Sequence, residues 1–138
     1  LKPLGIIDMN ETPDLVITFA VLAMFAKGKS KITNIGNLRV KESDRLQALK
    51  TEINKFGIKV HTTKDSIEII GNPDFFKHLP KKKIIIETYN DHRIAMAFGV
   101  IKDLVPQIII KNPRCVSKSY PTFWKDLAKL QKHGSRSQ

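Results

Sequence analysis

The two halves of this 138-residue chain carry the same pattern at an offset of 77 positions, which is the separation between Asp14 and Asp91. At this offset Lys118 falls on Lys41 without a gap, and the helices and strands predicted for the second half fall on those of the first. An internal repeat constrains the fold strongly, because repeated units usually stack around a shared core. We therefore expect two similar units that pack against each other.

The first unit, residues 4–71, is predicted to have the order β-α-β-α-β-β. Strands are expected at 4–8, 31–35, 58–62 and 67–70, and helices at 14–27 and from 41 to about 56, where apolar residues recur every three or four positions. Thr12 and Pro13 are suited to begin the first helix, and Gly57 is suited to end the second. Residues 72–82 connect this unit to the next.

The second unit, residues 83–132, repeats the first four elements. Strands are expected at 84–88 and 107–111, and helices at 91–104 and 121–131. The closing hairpin of the first unit has no counterpart, which predicts that the chain is part of a larger protein. Residues 133–138 lack apolar periodicity and contain Gly-Ser-Arg-Ser, so we interpret them as an unstructured tail derived from an expression vector.

The composition excludes several classes of protein. With 41% hydrophobic and 27% charged residues, the chain has the balance of a globular domain. Its longest uncharged apolar stretch, Leu15–Ala26, is too short to span a bilayer and lacks the flanks of a signal peptide. The single Cys115 forms no internal disulfide and fits a reducing, cytoplasmic location. The formal charge of +11 predicts an acidic partner or acidic ligands.

Ionisable residues concentrate where the helices are predicted to begin. Asn90, Asp91, His92 and Arg93 are consecutive, and the other three starts carry Asp14, then Lys41 with Glu42 and Arg45, then Lys118. Cations at a helix N-terminus oppose the helix dipole and cost stability unless a bound anion compensates them. Since equivalent turns of a repeat face equivalent ways, the four starts are predicted to form one anion site. An ordinary network of surface ion pairs is the alternative explanation.

Four motifs resemble, in order, those of the 5-enolpyruvylshikimate-3-phosphate synthase family. They are Asp-Met-Asn-Glu-Thr-Pro-Asp at 8–14, Arg-Val-Lys-Glu-Ser-Asp-Arg at 39–45, Asn-Asp-His-Arg at 90–93 and Lys-Ser-Tyr-Pro at 118–121. The resemblance covers about residues 4–131. It implies an α+β fold of β-α-β-α-β-β units in the inside-out α/β prism of the enolpyruvyl transferases, with three units in each of two domains. Residues 1–132 would supply about two of the three C-terminal units. Strands from the N-terminal end of the whole chain would complete the last unit, which accounts for the missing hairpin.

The resemblance also implies an enzymatic reaction in the shikimate pathway of aromatic amino acid biosynthesis. The enolpyruvyl group of phosphoenolpyruvate would pass to the 5-hydroxyl of shikimate 3-phosphate by addition and elimination, which requires a base, an acid and cations around the substrates. By motif position, Asp14 would accept the hydroxyl proton, Glu42 would deliver and remove the methylene proton, and His92 would assist. The reaction requires no metal or other cofactor.

The remaining motif residues would bind the two anionic substrates. The implied contacts to shikimate 3-phosphate are Asn37 and Lys41, and those to phosphoenolpyruvate are Arg45, Arg93 and Lys118. Asp44 and Asp91 would orient the neighbouring Arg and Lys side chains. The N-terminal domain of the same enzyme is the implied partner, and without it the isolated chain is expected to be inactive.

Two alternatives stay open. The sister enolpyruvyl transferase that acts on UDP-N-acetylglucosamine shares the fold, although the intact motifs at 39–45 and 90–93 favour the shikimate enzyme. A basic nucleic-acid-binding module is suggested by the charge of +11. Because no aromatic stacking positions are interleaved with the basic residues, we expect no specific nucleic acid partner. Because the longest apolar stretch is too short to span a bilayer, we expect no membrane partner.

Overall fold

The computed structural model describes residues 2–136, which form an α+β fold built from the two predicted units. The strands are β1 (Gly5–Asp8), β2 (Gly28–Thr33), β3 (Lys59–Thr62), β4 (Ile67–Gly71), β5 (Ile84–Ile86) and β6 (Ile108–Ile110). The α-helices are α1 (Val16–Ala23), α2 (Arg45–Asn54), α3 (His92–Val100) and α4 (Phe123–Arg136). The order is therefore β-α-β-α-β-β followed by β-α-β-α, as the sequence predicts.

The predicted repeat is present in the strand pairing. β1 pairs with β2 in parallel, and β5 pairs with β6 in parallel, with one helix between the strands of each pair. In the first unit the sheet order is β1-β2-β4-β3, and the antiparallel β3–β4 hairpin sets Thr62 opposite Ile67. Within residues 2–136 the β5–β6 pair has no such hairpin beside it, in agreement with the sequence.

Both units contribute to one hydrophobic core. The rings of Phe56, just after α2, and Phe98 in α3 stack with their centroids 6.0 Å apart, and both are buried. α1 is buried on most sides, as its sequence predicts, and it packs against α3 of the second unit. Since burying one large apolar side chain stabilises a fold by roughly 1.5–3 kcal/mol, this shared core fixes the two units relative to each other.

All four α-helices begin later than predicted: at Val16, Arg45, His92 and Phe123 rather than at 14, 41, 91 and 121. A single 3₁₀ turn, Pro13–Leu15, precedes α1, and the Thr12 side chain makes no capping hydrogen bond. α2 begins at Arg45 rather than at 41, because the Asp44 side chain accepts a hydrogen bond from the Gln47 N–H and caps the helix there. α2 ends at Asn54 rather than at about 56; Gly57 lies in the turn that follows and has a φ of 77°, a left-handed conformation typical of glycine after a helix.

The C-terminal helix is longer than the sequence predicts. α4 continues past 131 to Arg136, so residues 133–136 are helical rather than unstructured. Ser137 and Gln138, also assigned to the predicted tail, lie outside the described residues. Among the helices of the described part of the chain, none has the length and hydrophobicity needed to cross a membrane.

Candidate functional site

A buried ion pair joins the two units at the start of α2 and α3. Arg45, the first residue of α2, donates from Nε to Oδ2 of Asp91 at 2.8 Å and from Nη2 to Oδ1 at 3.3 Å. Asp91 caps α3 by accepting a hydrogen bond from the Arg93 N–H, and it accepts another from Ser43 Oγ. The two side chains are 2% and 0% exposed. Asp91 thus contacts Arg45, the kind of contact expected of a residue that orients an arginine.

This environment stabilises the charged form of Asp91. Burial alone would raise the pKa of the Asp91 carboxyl, but the hydrogen bonds and positive charge of Arg45 hold it below its ordinary value. The guanidinium also donates from Nη2 to Oε2 of Glu42 at 2.6 Å. Arg45 thus bridges a buried carboxylate and a half-exposed one. Only its Nη1 makes no hydrogen bond within the described residues, so that atom alone remains for an anion.

Asp14 and Arg93 extend this cluster to the first unit. Arg93 Nη2 lies 3.5 Å from Oδ2 of Asp14, and its Nη1 donates to the Asp14 carbonyl at 3.3 Å. Because the Arg93 N–H also donates to Asp91, one chain of contacts links Asp14 through Arg93, Asp91 and Arg45 to Glu42. Two carboxylates that the motifs assign to proton transfer therefore stand at the two ends of one network.

A polar cavity of about 410 Å³ opens beside this network. Its lining includes Glu42, His92 and Lys118, three of the predicted site residues. The other lining residues come from the turn before α3 and from the segment after β6; they are Asn90, Asn112, Arg114, Cys115, Ser117 and Ser119. With two cations, an imidazole and several hydroxyl and amide groups around one carboxylate, the cavity is suited to a small anionic ligand.

The remaining predicted ligands do not line this cavity: Arg45 and Arg93 belong to the network beside it, and Arg93 lines a groove between α1 and α3. Asn37 lies in the 3₁₀ segment Gly36–Val40 and Lys41 directly after it; both are exposed and neither lines the cavity. Lys41, Glu42 and Lys118 also lie in loops before their α-helices rather than in the first helical turns. The prediction of four helix starts was wrong in this respect, because Asp44 caps α2 later in the chain, and α4 begins only at Phe123.

The turn that precedes Asp91 has an unusual backbone. Tyr89 and Asn90 both have a φ of 55°, and the Asp91 N–H donates to the Thr88 carbonyl at 2.7 Å across them. The left-handed conformation costs roughly 1–2 kcal/mol for an ordinary L-residue, whereas Asn tolerates it. Asn90 also accepts a hydrogen bond from the Asn112 side chain at 3.4 Å.

Glu52 of α2 is a fully buried carboxylate that is hydrogen-bonded to this turn and to the residue before it. Its Oε1 accepts hydrogen bonds from Lys55 Nζ at 2.6 Å and from the Glu87 N–H at 2.9 Å. Its Oε2 accepts the Tyr89 hydroxyl at 2.6 Å. Partial burial and this carboxylate raise the pKa of Tyr89 above its usual range. Sequence reasoning missed Glu52, although a charged residue between Leu49 and Ile53 on the buried face of α2 is a signal for a satisfied internal carboxylate.

No cluster of three or more His, Cys, Asp or Glu side chains in the described part of the chain has the arrangement of metal ligands.

Comparison with known proteins identifies the family. The family model for EPSP synthase (3-phosphoshikimate 1-carboxyvinyltransferase) matches residues 1–127. A 3-phosphoshikimate 1-carboxyvinyltransferase of Syntrophobacter fumaroxidans is 44% identical over 131 residues, 95% of this chain and 30% of that protein. One from Buchnera aphidicola of Acyrthosiphon pisum is 44% identical over 126 residues, 91% of this chain and 28% of that protein.

A solved structure agrees with the sequence matches. The EPSP synthase of Acinetobacter baumannii superimposes with a TM-score of 0.67 at 30% identity, covering 86% of this chain and 27% of that one. The chain thus spans less than a third of the length of the relatives it matches. Its fold, its four motifs and these likenesses agree: the chain belongs to the EPSP synthase (3-phosphoshikimate 1-carboxyvinyltransferase) family.

Proposed function

We propose that this chain is the larger part of the C-terminal domain of an enzyme that transfers the enolpyruvyl group from phosphoenolpyruvate to the 5-hydroxyl of shikimate 3-phosphate. Family membership supports the reaction. The observation that carries the proposal is the cavity in which Glu42, His92 and Lys118 meet beside the buried Arg45–Asp91 pair. It combines a proton-transfer group with cations for a phosphate or a carboxylate.

Glu42 is the residue we assign to proton transfer at the methylene carbon. Its carboxylate is 49% exposed on the side of the cavity and is held by the buried Arg45 through one 2.6 Å contact. Such an arrangement fixes the position of the carboxylate without burying it, so one oxygen stays accessible to a ligand. A positioned acid or base typically contributes about 10²–10⁴-fold to the rate of a reaction. His92 stands in the same lining and assists.

Asp14 and Arg93 form the second part of the proposed site. Asp14 is 62% exposed and accepts the hydroxyl proton of shikimate 3-phosphate in our assignment. Arg93, with Lys118, binds phosphoenolpyruvate, since each can make charge-assisted hydrogen bonds to an anion. Arg45 can bind phosphoenolpyruvate only through Nη1, because its Nε and Nη2 donate to Asp91 and Glu42. In the same assignment Asn37, in the 3₁₀ segment Gly36–Val40, and Lys41, directly after it, bind shikimate 3-phosphate.

We propose that the rest of the same enzyme is the partner of this chain. A groove of about 250 Å³ between α1 and α3 is lined mainly by apolar side chains, with Thr18 and Arg93 among them, and its lining residues Leu22 and Val100 are 44% and 55% exposed. Ile6 on β1, an edge strand of the four-stranded sheet, is 78% exposed. Apolar surfaces of this kind favour contact with further protein. We also propose a cytoplasmic location, in keeping with the single, unpaired Cys115.

The test is steady-state kinetics of phosphate release by the full-length protein that carries this segment. Asp14→Ala and Glu42→Gln are expected to lower kcat by about 10²–10⁴-fold with a smaller change in KM, because each residue moves a proton in the transition state. Arg93→Ala and Lys118→Ala are expected to raise KM for phosphoenolpyruvate by roughly ten- to a hundredfold, since a hydrogen bond to a charged group contributes about 1.5–3 kcal/mol.

A matched control is Glu87→Gln. Glu87 is a similarly exposed glutamate that pairs with Lys111 at 3.0 Å outside the cavity, so its loss should leave the kinetics unchanged. Normal turnover in both the Asp14 and the Glu42 variant would refute the assignment. A second assay with UDP-N-acetylglucosamine as the acceptor tests the reaction of the sister enzyme. Phosphate release with that acceptor and none with shikimate 3-phosphate would show that UDP-N-acetylglucosamine, and not shikimate 3-phosphate, is the substrate.

A further inference from the structure

The tyrosine in the turn before Asp91 requires an explanation that the turn itself does not supply. Turns with two left-handed central residues use Gly, Asn or Asp, whose small or locally bonding side chains tolerate this backbone. Asn90 fits this rule, and Tyr89 does not. A tyrosine can occupy the position only if contacts beyond the turn stabilise it there.

Thr88 and Asn90 are hydrogen-bonded to Lys111 and Asn112, and the side chain of Tyr89 is hydrogen-bonded to Glu52. The Glu52 carboxylate is the contact that can hold the tyrosine. It is completely buried in α2, and three donors satisfy it: the Lys55 ammonium, the Glu87 N–H and the Tyr89 hydroxyl. Lys55 also donates to the Ile85 carbonyl at 2.8 Å. α2 of the first unit is thereby tied to β5 and to the turn of the second unit. Because α2 also carries Arg45, one helix positions both the turn and the guanidinium that meets Asp91.

We propose that Glu52 and Tyr89 are a positioning pair whose hydrogen bond keeps the 88–91 turn left-handed and so sets where Asp91, His92 and Arg93 stand. Neither member lines the cavity, so neither is a catalytic residue. The consequence for catalysis rests on the proposed function, whereas the consequence for the conformation of the turn does not.

Amide hydrogen exchange in this chain tests the conformational part. Tyr89→Phe removes only the hydroxyl and leaves Glu52 paired with Lys55 and the Glu87 N–H, so the fold is retained. Protection of the Asp91 N–H, which closes the turn, should fall about tenfold or more, while that of Ile32 in the β1–β2–β4 sheet should stay within about twofold. The matched control is Tyr120→Phe, which removes an exposed 2.9 Å hydrogen bond from a tyrosine to Asp126. It should leave the exchange protection of the Asp91 N–H unchanged.

A second variant distinguishes positioning from packing. Tyr89→Asn loses the ring but tolerates the left-handed backbone, so it should protect the Asp91 N–H better than the nearly isosteric Tyr89→Phe does. If the ring acts only by filling space, the Phe variant will be the milder one. Three results would each overturn the proposal. They are unchanged protection of the Asp91 N–H in Tyr89→Phe, an equal loss of protection at every amide, and a smaller loss at Asp91 in Tyr89→Phe than in Tyr89→Asn.

Kinetics of the full-length protein test the catalytic part. Tyr89→Phe should lower kcat/KM for phosphoenolpyruvate at least about tenfold, and Tyr89→Asn should retain more of it. The reverse order would contradict the positioning role. If the unmodified protein releases no phosphate from the two substrates, the proposed function fails, and the exchange measurements still decide whether Glu52 and Tyr89 hold the turn.

Discussion

Replacing Asp91 by Asn tests whether the Arg45–Asp91 pair holds the two units together. The asparagine keeps the size of the side chain and remains a good helix cap, so the change removes mainly the charge that faces a 2% exposed guanidinium. Removing one partner of a buried ion pair typically costs about 3–5 kcal/mol. Glu42 remains beside Arg45 at 2.6 Å. We therefore expect the lower end, a loss of about 3 kcal/mol in the free energy of unfolding.

Urea unfolding followed by circular dichroism measures this loss. For a chain of this size the expected change lowers the unfolding midpoint by on the order of 1.5 M. The matched control is Asp74→Asn, which removes an aspartate that pairs with Lys77 at 3.0 Å where both side chains are more than half exposed. An exposed ion pair contributes about 0–1 kcal/mol, so the unfolding midpoint of the control should change little. If Asp91→Asn costs no more than Asp74→Asn, the pair does not stabilise the contact between the units.

Three further outcomes are expected. First, the pKa of Asp91 is lower in the folded chain than its ordinary value of 3.8, so the unfolded chain binds the proton at a higher pH than the folded chain does. The free energy of unfolding should therefore fall as the pH drops below about 4. Asp91→Asn should weaken this pH dependence, as measured by urea titrations at several pH values. The isolated chain should unfold cooperatively yet release phosphate from the two substrates only at background, because catalysis requires both reactants to be positioned together; clear turnover would show that this chain holds a complete site. Finally, duplex DNA should bind weakly and without sequence preference, with an affinity that falls steeply with salt in a fluorescence titration; tight, selective binding at physiological salt would support the nucleic-acid alternative.

Periodicity along the sequence determined the order of the elements and the repeat. The apolar spacing around Leu46, Leu49, Ile53 and Phe56 predicted α2, because a helix that faces a core must repeat its contacts every three or four residues. The boundaries of the elements differ from those predicted, since they depend on single hydrogen bonds. The Asp44 cap moved the start of α2 past Lys41 and Glu42 and so placed those two residues in a loop.

Motifs identified most of the candidate site, because charged residues at turns stand out against an apolar pattern. They could not distinguish an exposed arginine from a buried one. Arg45 and Arg93 each closely follow an aspartate and precede an apolar helical segment, so the sequence does not distinguish them. In the structure Arg45 is nearly enclosed between two carboxylates, whereas Arg93 is about one-third exposed beside Asp14. Burial of a side chain depends on what the other unit places over it, and that information is not local.

The sequence by itself therefore determined the repeat, the two-unit α+β fold, the family motifs and the residues that carry charge. Only the tertiary structure decided which of those charges neutralise one another, which line the cavity, and that the Tyr89 hydroxyl donates to the buried Glu52. The physical reason is the range of each interaction. Backbone and apolar patterns repeat over a few residues, whereas the contacts of Arg45 with Asp91 and of Glu52 with Tyr89 join positions 46 and 37 residues apart.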